Sequence, residues 1–447
     1  MRTRRNNWSP NLVRALVAFL KGHTRLSPFR RNVLSLFGLQ IINYAAPLVT
    51  LPYLVRVLGP ERFGLLAFAQ ATVQYFVLIT EYGFNLSASR QIAIHRSSPQ
   101  NLGRIFWSTL TVKCLLAAIG FAVLVALTQT FHRFEEESAV YLATFLKVLG
   151  YALLPGWYLL GREKMPQIAA AQAAATLISV VAIFSLVDTE SDYVLAATLQ
   201  SANLLLAAAI GHVMVLRVAP VRWQMPSLSS LGTELKQGWH VFVATMSTSL
   251  YTNTNVFVLG LFAGSTAVGY FSAADKVVRA VQGMFTPITE AMYPRINAVA
   301  SRSRDEALQF VSRGIRWLLF GTGIAAVTLF VFADPILRLV LGGKFQEAIG
   351  LARVMSILPP ILTLDSIFGV QILLSFGFRR EYARVVVGGG ILNVALLVPL
   401  TWTYGASGTA STVVLTEIVI VGVMLFILRQ YGLDPWRGQI RASPRGL

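Results

Sequence analysis

Ionisable side chains interrupt several long apolar stretches of this 447-residue sequence. A charged side chain at membrane depth costs about 2.5–3.5 kcal/mol, so such a residue usually faces a partner or water. These side chains are therefore the first candidates for a functional site. The cations are Lys113, Lys147, Lys276, Arg279 and Arg353, and the anions are Glu81, Asp275, Glu290, Asp365 and Glu417.

The cations predict a site for an anionic ligand. Lys147 and Arg353 have no acidic residue one helical turn away, so we expect both to face one cavity and to bind phosphate. Arg suits phosphate through bidentate hydrogen bonds, and Lys suits it as a point charge. Asp275 and Arg279 lie four residues apart, which also allows them to pair on one helix face. The predicted phosphate-binding residues are Lys147, Arg353, Arg279, Lys276 and Lys113.

Polar residues that recur at helical spacing predict helix faces that do not contact lipid. Their amide and hydroxyl groups suit carbohydrate, although hydroxyls are also common where membrane helices simply pack together. The predicted glycan contacts are Gln40, Asn43, Gln70, Gln74, Thr248 and Asn255. The predicted coupling or gating residues are Glu81, Asp275, Glu290 and Asp365. The sequence leaves open whether a proton or a sodium ion is coupled to them.

The elements that carry these residues are predicted to be transmembrane helices. Hydrophobic residues make up 55% of the chain and charged residues 13%, whereas soluble domains carry about 25% charged residues. A spanning helix needs about 20 mostly apolar residues, and its backbone groups must be satisfied within the segment. We therefore predict an all-α integral membrane protein with twelve transmembrane helices. The predicted spans lie near 33–55, 63–83, 104–128, 138–160, 166–187, 193–216, 238–262, 270–293, 314–333, 347–375, 382–402 and 406–428.

The net charge of +18 predicts topology rather than a nucleic-acid partner. Most of the 38 Lys and Arg residues fall in loops on one side of the predicted spans, and cytoplasmic loops hold such an excess. Both termini are therefore predicted to be cytoplasmic. The tail 1–31 is basic, and its apolar residues predict a helix on the anionic inner leaflet. A disordered tail that only sets topology is the alternative.

An internal repeat divides the chain, as is common in transporters. Gly59-Pro-Glu-Arg-Phe-Gly64 aligns with Gly264-Ser-Thr-Ala-Val-Gly269, each lying between consecutive spans. The polar positions then fall into register: Gln70 with Asp275, Gln74 with Arg279, and, one residue further along, Lys147 with Arg353. We predict two pseudo-symmetric six-helix bundles around a central cavity. The predicted parts are the tail 1–31, the first bundle 32–216, a cytoplasmic linker 217–237, the second bundle 238–428 and the tail 429–447.

Enzymatic and metal chemistry are not indicated by the sequence. Cys114 is the only cysteine, and the five His residues lack the spacing of metal ligands. The chain has no Gly-x-x-x-x-Gly-Lys-Ser/Thr motif for ATP, and its predicted loops are too short for a catalytic domain. We therefore predict no enzyme activity, no metal and no cofactor.

Several segments carry a family resemblance. They are residues 32–64, Glu81-Tyr-Gly-Phe-Asn-Leu-Ser-Ala-Ser-Arg90, Gly269-Tyr-Phe-Ser-Ala-Ala-Asp-Lys276 and Tyr293-Pro-Arg295. In these segments the sequence resembles the Wzx-type polysaccharide flippases. Their superfamily also holds drug/sodium antiporters and the lipid II flippase.

The resemblance implies a bacterial inner-membrane transporter whose two bundles alternate between inward-open and outward-open states. Its implied substrate is an undecaprenyl-pyrophosphate-linked oligosaccharide, moved from the cytoplasmic to the periplasmic leaflet for O-antigen, capsule or exopolysaccharide synthesis. A polysaccharide polymerase and a chain-length regulator are implied as further partners, besides membrane lipids. The predicted phosphate-binding cations would then hold the pyrophosphate.

Other functions remain open at this point. A cation-coupled multidrug exporter of the same superfamily would be expected to have an acidic cavity. A membrane glycan polymerase or ligase would need a large outside loop with catalytic residues. A scaffolding membrane protein would not need buried cations.

Overall fold

The computed structural model describes residues 28–218, 220–436 and 439–440. Within them, the side chains of residues 28–44, 218, 244, 247, 248, 250–252, 434 and 439–440 lie outside the described part. The predicted surface helix in the basic tail also lies outside it. The same holds for the side chains of the predicted glycan contacts Gln40, Asn43 and Thr248.

The described chain is almost entirely helical, as predicted. The α-helices are α1 (Pro28–Glu81), α2 (Phe84–Ile94), α3 (Pro99–Thr130), α4 (His132–Glu135), α5 (Ser138–Leu153), α6 (Gly156–Gly161), α7 (Met165–Leu186), α8 (Tyr193–Val218), α9 (Leu228–Gly283), α10 (Thr286–Ala300), α11 (Arg304–Val331), α12 (Ala333–Leu341), α13 (Gln346–Met355), α14 (Leu358–Asp365) and α15 (Arg379–Gln430). A π-helix covers Ser366–Leu374, and short 3₁₀ turns cover Glu190–Asp192 and Gly343–Phe345. Near the C-terminus, β1 (Leu433–Asp434) pairs antiparallel with β2 (Gln439–Ile440).

The longest helices, α1, α9 and α15, are each broken at one glycine. Gly59 has a φ of 67° and a ψ of 176°, and Gly264 has a φ of 86° and a ψ of 173°. Gly405 has a φ of 55°. Side chains with a Cβ rarely adopt such angles, so glycine lets the chain turn there. Gly59 and Gly264 are the positions that the sequence repeat aligns, and their backbones have the same conformation.

The structure confirms a multi-pass helical membrane protein. Eight helices are long and apolar enough to cross a membrane, or nine if the bent pair Gly343–Met355 and Leu358–Leu374 forms one span. At about 1.5 Å per residue, α1, α9 and α15 are each much longer than a hydrocarbon core of about 30 Å. Each is broken by a glycine near its middle and can therefore supply two spans. The total of twelve stays a prediction.

Loops predicted on the same side of the membrane meet at one end of the molecule, here called the outer end. Within the halves, Gly59 contacts Glu190, Arg62 pairs with Glu137, and Ala263 contacts Gly405. Between the halves, Gly64 contacts Ser265 and Glu190 pairs with Lys344. A Cβ on Gly64 would overlap the carbonyl oxygen of Ser265, and one on Gly269 would overlap that of Pro60. The two repeated turns therefore pack backbone to backbone, and this end is closed.

The opposite, inner end is organised differently. At the outer end, one hydrophobic core joins both halves, with members such as Leu58, Phe68, Val268 and Phe271. At the inner end, the N-terminal half has a core around Phe106, and the C-terminal half has a separate one. The halves are thus joined near the outer end and have independent cores near the inner end.

The first turns of α9 cross to the N-terminal half. Ser108 Oγ donates to Ser230 Oγ at 2.8 Å, and the rings of Tyr82 and Phe242 stack with centroids 4.6 Å apart. Glu234 is 6% exposed in this contact and accepts a 3.5 Å hydrogen bond from Thr109 Oγ1. Burial raises the pKa of the Glu234 carboxyl to about 7, although Arg104 and Thr109 act in the opposite direction.

The raised pKa of Glu234 predicts a pH-dependent contact between α9 and α3. A carboxyl whose folded pKa exceeds its unfolded value stabilises the fold below pH 4.5, and this contribution is lost as pH rises through about 7. Glu234→Gln should therefore raise the free energy of unfolding at pH 8 by about 1–3 kcal/mol and have little effect at pH 4.5. Thermal unfolding of the purified protein at both pH values measures this. The exposed Glu347→Gln is the control, and equal effects at both pH values would contradict the prediction.

Candidate functional site

Two adjoining cavities lie between the halves. The smaller, of about 390 Å³, has a polar lining and is here called the polar cavity. The larger, of about 800 Å³, is lined mostly by apolar residues of α1, α7 and α9 and is called the apolar cavity. Gln70, Lys276 and Arg279 line both. The polar residues around the polar cavity are Gln70, Gln74, Lys147, Asn253, Ser272, Asp275, Lys276 and Arg279.

Lys147 reaches the polar cavity from α5. Its Nζ donates a 3.0 Å hydrogen bond to Gln74 Oε1. Among the described residues, no carboxylate lies within salt-bridge distance of Lys147. One helical turn before Gln74, Gln70 Nε2 donates to Gln200 Oε1 at 2.7 Å. Lys147 thus brings a positive charge into the membrane interior with only a neutral partner.

The second half of α9 supplies the other charges. Arg279 Nε lies 2.9 Å from Asp275 Oδ1 and 2.8 Å from Asp275 Oδ2, so these residues form the predicted helix-face pair. Lys276 Nζ lies 4.9 Å from the ring centroid of Phe63, within the range of a cation–π interaction. Among the described residues that line the polar cavity, two lysines and one arginine therefore accompany a single carboxylate. This excess of positive charge favours an anionic ligand.

The comparisons with known proteins bear on what such a cavity serves. Residues 29–300 match the model of the family described as polysaccharide biosynthesis protein. The chain is 31% identical over 407 residues to a protein of Escherichia coli (strain K12) described as an O-antigen transporter, covering 91% of this chain and 98% of that protein. The chain belongs to the polysaccharide biosynthesis protein family. The predicted resemblance to Wzx-type flippases is thereby confirmed.

Solved structures show the fold of this family member. The chain matches an inward-facing multidrug resistance MATE family transporter of the MOP superfamily with a TM-score of 0.67 and 14% identity, over 86% of this chain and 94% of that one. It matches the lipid II flippase MurJ in an inward closed conformation with a TM-score of 0.68 and 12% identity, over 91% of this chain and 89% of that one. The all-α membrane fold expected from the sequence is therefore confirmed.

Several of the predicted site residues of this polysaccharide biosynthesis protein lie elsewhere. Arg353 lines neither cavity, because the buried face of α13 is formed by Ala348, Leu351, Ala352 and Met355, and Arg353 is exposed on the opposite face. The predicted meeting of Lys147 and Arg353 in one cavity is therefore not found in this structure. The side chains of Glu290, Asp365 and Asn255 also lie outside both cavity linings.

Lys113 is neutralised away from the cavities. Its Nζ donates to Glu81 Oε1 at 2.7 Å, and Asn85 Nδ2 donates to Glu81 Oε2. The side chains of Lys113 and Glu81 are 1% and 18% exposed. The sequence predicted a phosphate-binding role for Lys113 and a coupling role for Glu81. Their pairing instead joins α1 to α3 within the N-terminal half.

The Lys113–Glu81 pair predicts an unequal effect of single and double substitutions. Removing one member of a buried pair costs about 3–5 kcal/mol, whereas replacing both with apolar or neutral groups is close to neutral. Lys113→Met should therefore lower the thermal unfolding temperature strongly, and adding Glu81→Gln should restore most of it. Fluorescence-monitored unfolding in detergent measures both. Additive losses in the double variant would contradict a paired role.

Other cavity residues were missed from the sequence. Gln200 and Asn253 line the cavities, and an isolated amide such as Gln200 in the apolar stretch of α8 was a detectable signal. The contact of Lys276 with the Phe63 ring was not predictable, because a cation–π contact between distant residues leaves no pattern in the sequence. Asn253 lies in a stretch rich in hydroxyl and amide residues, 245–255, which indicates a polar segment without singling out this residue.

Proposed function

We propose that this protein flips an undecaprenyl-pyrophosphate-linked oligosaccharide from the cytoplasmic to the periplasmic leaflet of the bacterial inner membrane. The observation that carries this proposal is the convergence of Lys147, Lys276 and Arg279 on one cavity between the halves. The name of the Escherichia coli relative, O-antigen transporter, supports surface polysaccharide synthesis as the process. The family resemblance supplies the lipid carrier and the direction.

The two cavities suit the two parts of an amphiphilic ligand. The polar cavity offers three cations for the pyrophosphate, and Gln70 and Gln74 provide amides for the first sugar. The apolar cavity, lined by residues such as Pro47, Leu51 and Ile183, suits the first isoprene units of the lipid. Lys276 and Arg279 line both cavities, at the position where a headgroup joins its tail. A simple hydrophilic sugar would leave the apolar cavity unused.

The closed outer end and the separate inner cores support a cytoplasmically loaded state. In this proposal both termini are cytoplasmic, and the halves rock about the outer contacts to expose the cavity to the periplasm. An inside-negative potential favours outward movement of negative charge by about 2.3 kcal/mol per charge per 100 mV. Coupling through Asp365 or Glu290 to a proton or sodium ion stays a prediction, as do contacts with a polymerase and a chain-length regulator.

A flipping assay tests the proposal. The purified protein is reconstituted into liposomes with a fluorescent polyprenyl-pyrophosphate-linked oligosaccharide, and a membrane-impermeant quencher reports the leaflet of the label. We expect flipping that is fast relative to protein-free liposomes, and slower flipping of the same glycan on a neutral lipid. Transport of a cationic dye such as ethidium without glycolipid flipping would overturn the proposal in favour of a drug exporter. Glycan elongation in the assay would favour a polymerase.

A further inference from the structure

Asp275 is the single acidic residue among the described residues that line either cavity. Both of its carboxylate oxygens accept from Arg279 Nε, at 2.9 and 2.8 Å. The other cations of the cavity are bound differently: Lys147 contacts the neutral Gln74, and Lys276 lies over Phe63. Asp275 and Arg279 thus form an ion pair inside a cavity whose excess of positive charge favours an anionic ligand.

We propose that Asp275 is an internal competitor for the phosphate of the ligand. It holds Arg279 while the polar cavity is empty, yields Arg279 when a phosphate enters, and takes it back when the ligand leaves. This inference rests on the proposed function, and it assigns to Asp275 a role in setting affinity and release, in place of the coupling role predicted from the sequence.

The charge balance of the empty cavity supports this role. Without Asp275, the described residues that line the empty polar cavity would include three cations and no carboxylate, which is costly at membrane depth. Pairing with Asp275 lowers the free energy of the empty state and therefore weakens phosphate binding. Its negative charge also repels a phosphate held by the same cations.

The geometry allows the exchange without movement of the backbone. Asp275 and Arg279 lie one turn apart on the same helix, and their side chains are 17% and 49% exposed in the structure. A phosphate can approach the accessible guanidinium while Asp275 is still bound. Asp275 stays one turn away, ready to pair again.

Transport requires both binding and release, since a site that binds too strongly retains its ligand. An internal competitor changes these two properties in opposite directions. Removing its charge should tighten binding and slow the release of the ligand. A residue that only orients Arg279 for binding would have the reverse effect on affinity, because its loss would weaken the site.

The test measures the Kd of geranylgeranyl pyrophosphate for the purified full chain in nanodiscs by calorimetry. Asp275→Asn should lower the Kd by about tenfold or more and should reduce the flipping rate in liposomes. The matched control is Asp334→Asn, because Asp334 forms the same four-residue pair with Arg338 outside the cavities, at 2.7 Å. This control should leave the Kd unchanged. Thermal unfolding checks that each variant is folded, and Asp275→Ala provides a second substitution if the Asn variant is unstable.

A double-variant cycle identifies the partner. In an Arg279→Gln background, Asp275→Asn should tighten binding much less, because the competition for Arg279 is gone. Equal tightening in both backgrounds would overturn the inference and leave Asp275 as a general negative charge. An unchanged or higher Kd for Asp275→Asn would also overturn it. A wild-type protein that does not bind the pyrophosphate probe would overturn both this inference and the proposed function, whereas tight wild-type binding with no gain in Asp275→Asn would overturn this inference alone.

Discussion

Lys147→Ala is expected to reduce flipping about 10- to 100-fold without lowering the stability of the protein. Lys147 reaches the polar cavity with the neutral Gln74 as its hydrogen-bond partner, and in the proposed function its charge binds the phosphate of the ligand. A hydrogen bond to a charged group is worth about 1.5–3 kcal/mol, and 1.4 kcal/mol corresponds to a factor of ten. The loss should appear both in the flipping rate and in the Kd for a polyprenyl pyrophosphate.

An ordinary core substitution lowers the stability of the protein, whereas Lys147→Ala should not. A cation at membrane depth without an acidic partner is a cost to the folded state. Removing it should leave the thermal unfolding temperature unchanged or raise it. Lys113→Met, which breaks a salt bridge of 2.7 Å, should lower that temperature. The two lysines are thus expected to differ in role: Lys147 binds the ligand, and Lys113 stabilises the fold.

Matched variants sharpen the test of Lys147. Lys147→Arg keeps the charge and should retain most of the flipping rate. Gln74→Glu places a carboxylate beside Lys147 and should reduce flipping as Lys147→Ala does, while stabilising the protein. Arg353→Ala is the informative comparison, because Arg353 lies outside both cavity linings. A loss as large as that of Lys147→Ala would return Arg353 to the phosphate site that the sequence predicted.

The repeat and the apolar stretches made much of this arrangement predictable. Polar spacing placed Gln70 and Gln74 on one face, and both line the polar cavity with Lys147, Lys276 and Arg279. The four-residue spacing of Asp275 and Arg279 also predicted their pairing correctly. These properties are local, since they depend on the period of a single helix.

The position of Arg353 and the partner of Lys113 could not be predicted in this way, because they depend on how each helix is rotated relative to its neighbours. Arg353 and Lys147 align in sequence, yet α13 presents Arg353 on its exposed side. Lys113 and Glu81 pair between α3 and α1, and no periodicity within either helix relates them. Alignment of repeats assigns equivalent positions, but packing decides whether those positions face the same space.

Closure of the outer end provides the second large expected effect. Gly64→Ala should hold the outer turns apart and reduce flipping by at least tenfold while leaving each half folded. A Cβ at this position would overlap the backbone oxygen of Ser265, and a Cβ on Gly269 would overlap that of Pro60. Small residues permit such close backbone approach between membrane helices, and overpacking typically costs about 1–3 kcal/mol. Because these contacts join the two halves, that cost falls on the closed state and shifts the population towards an open outer end.

Spin-label distances between the outer turns measure this shift. With Cys114 replaced by Ser, labels at the exposed positions Glu61 and Thr266 report the separation of the turns that carry Gly64 and Gly269. Gly64→Ala should lengthen this distance and reduce flipping by at least tenfold, and Gly269→Ala should do the same because the contact is reciprocal. Gly422→Ala is the control, since a Cβ there meets no atom within 4 Å. An unchanged distance with normal flipping would mean that the glycine contact does not close the outer end. An unchanged distance with lost flipping would place the defect at a later step than closure.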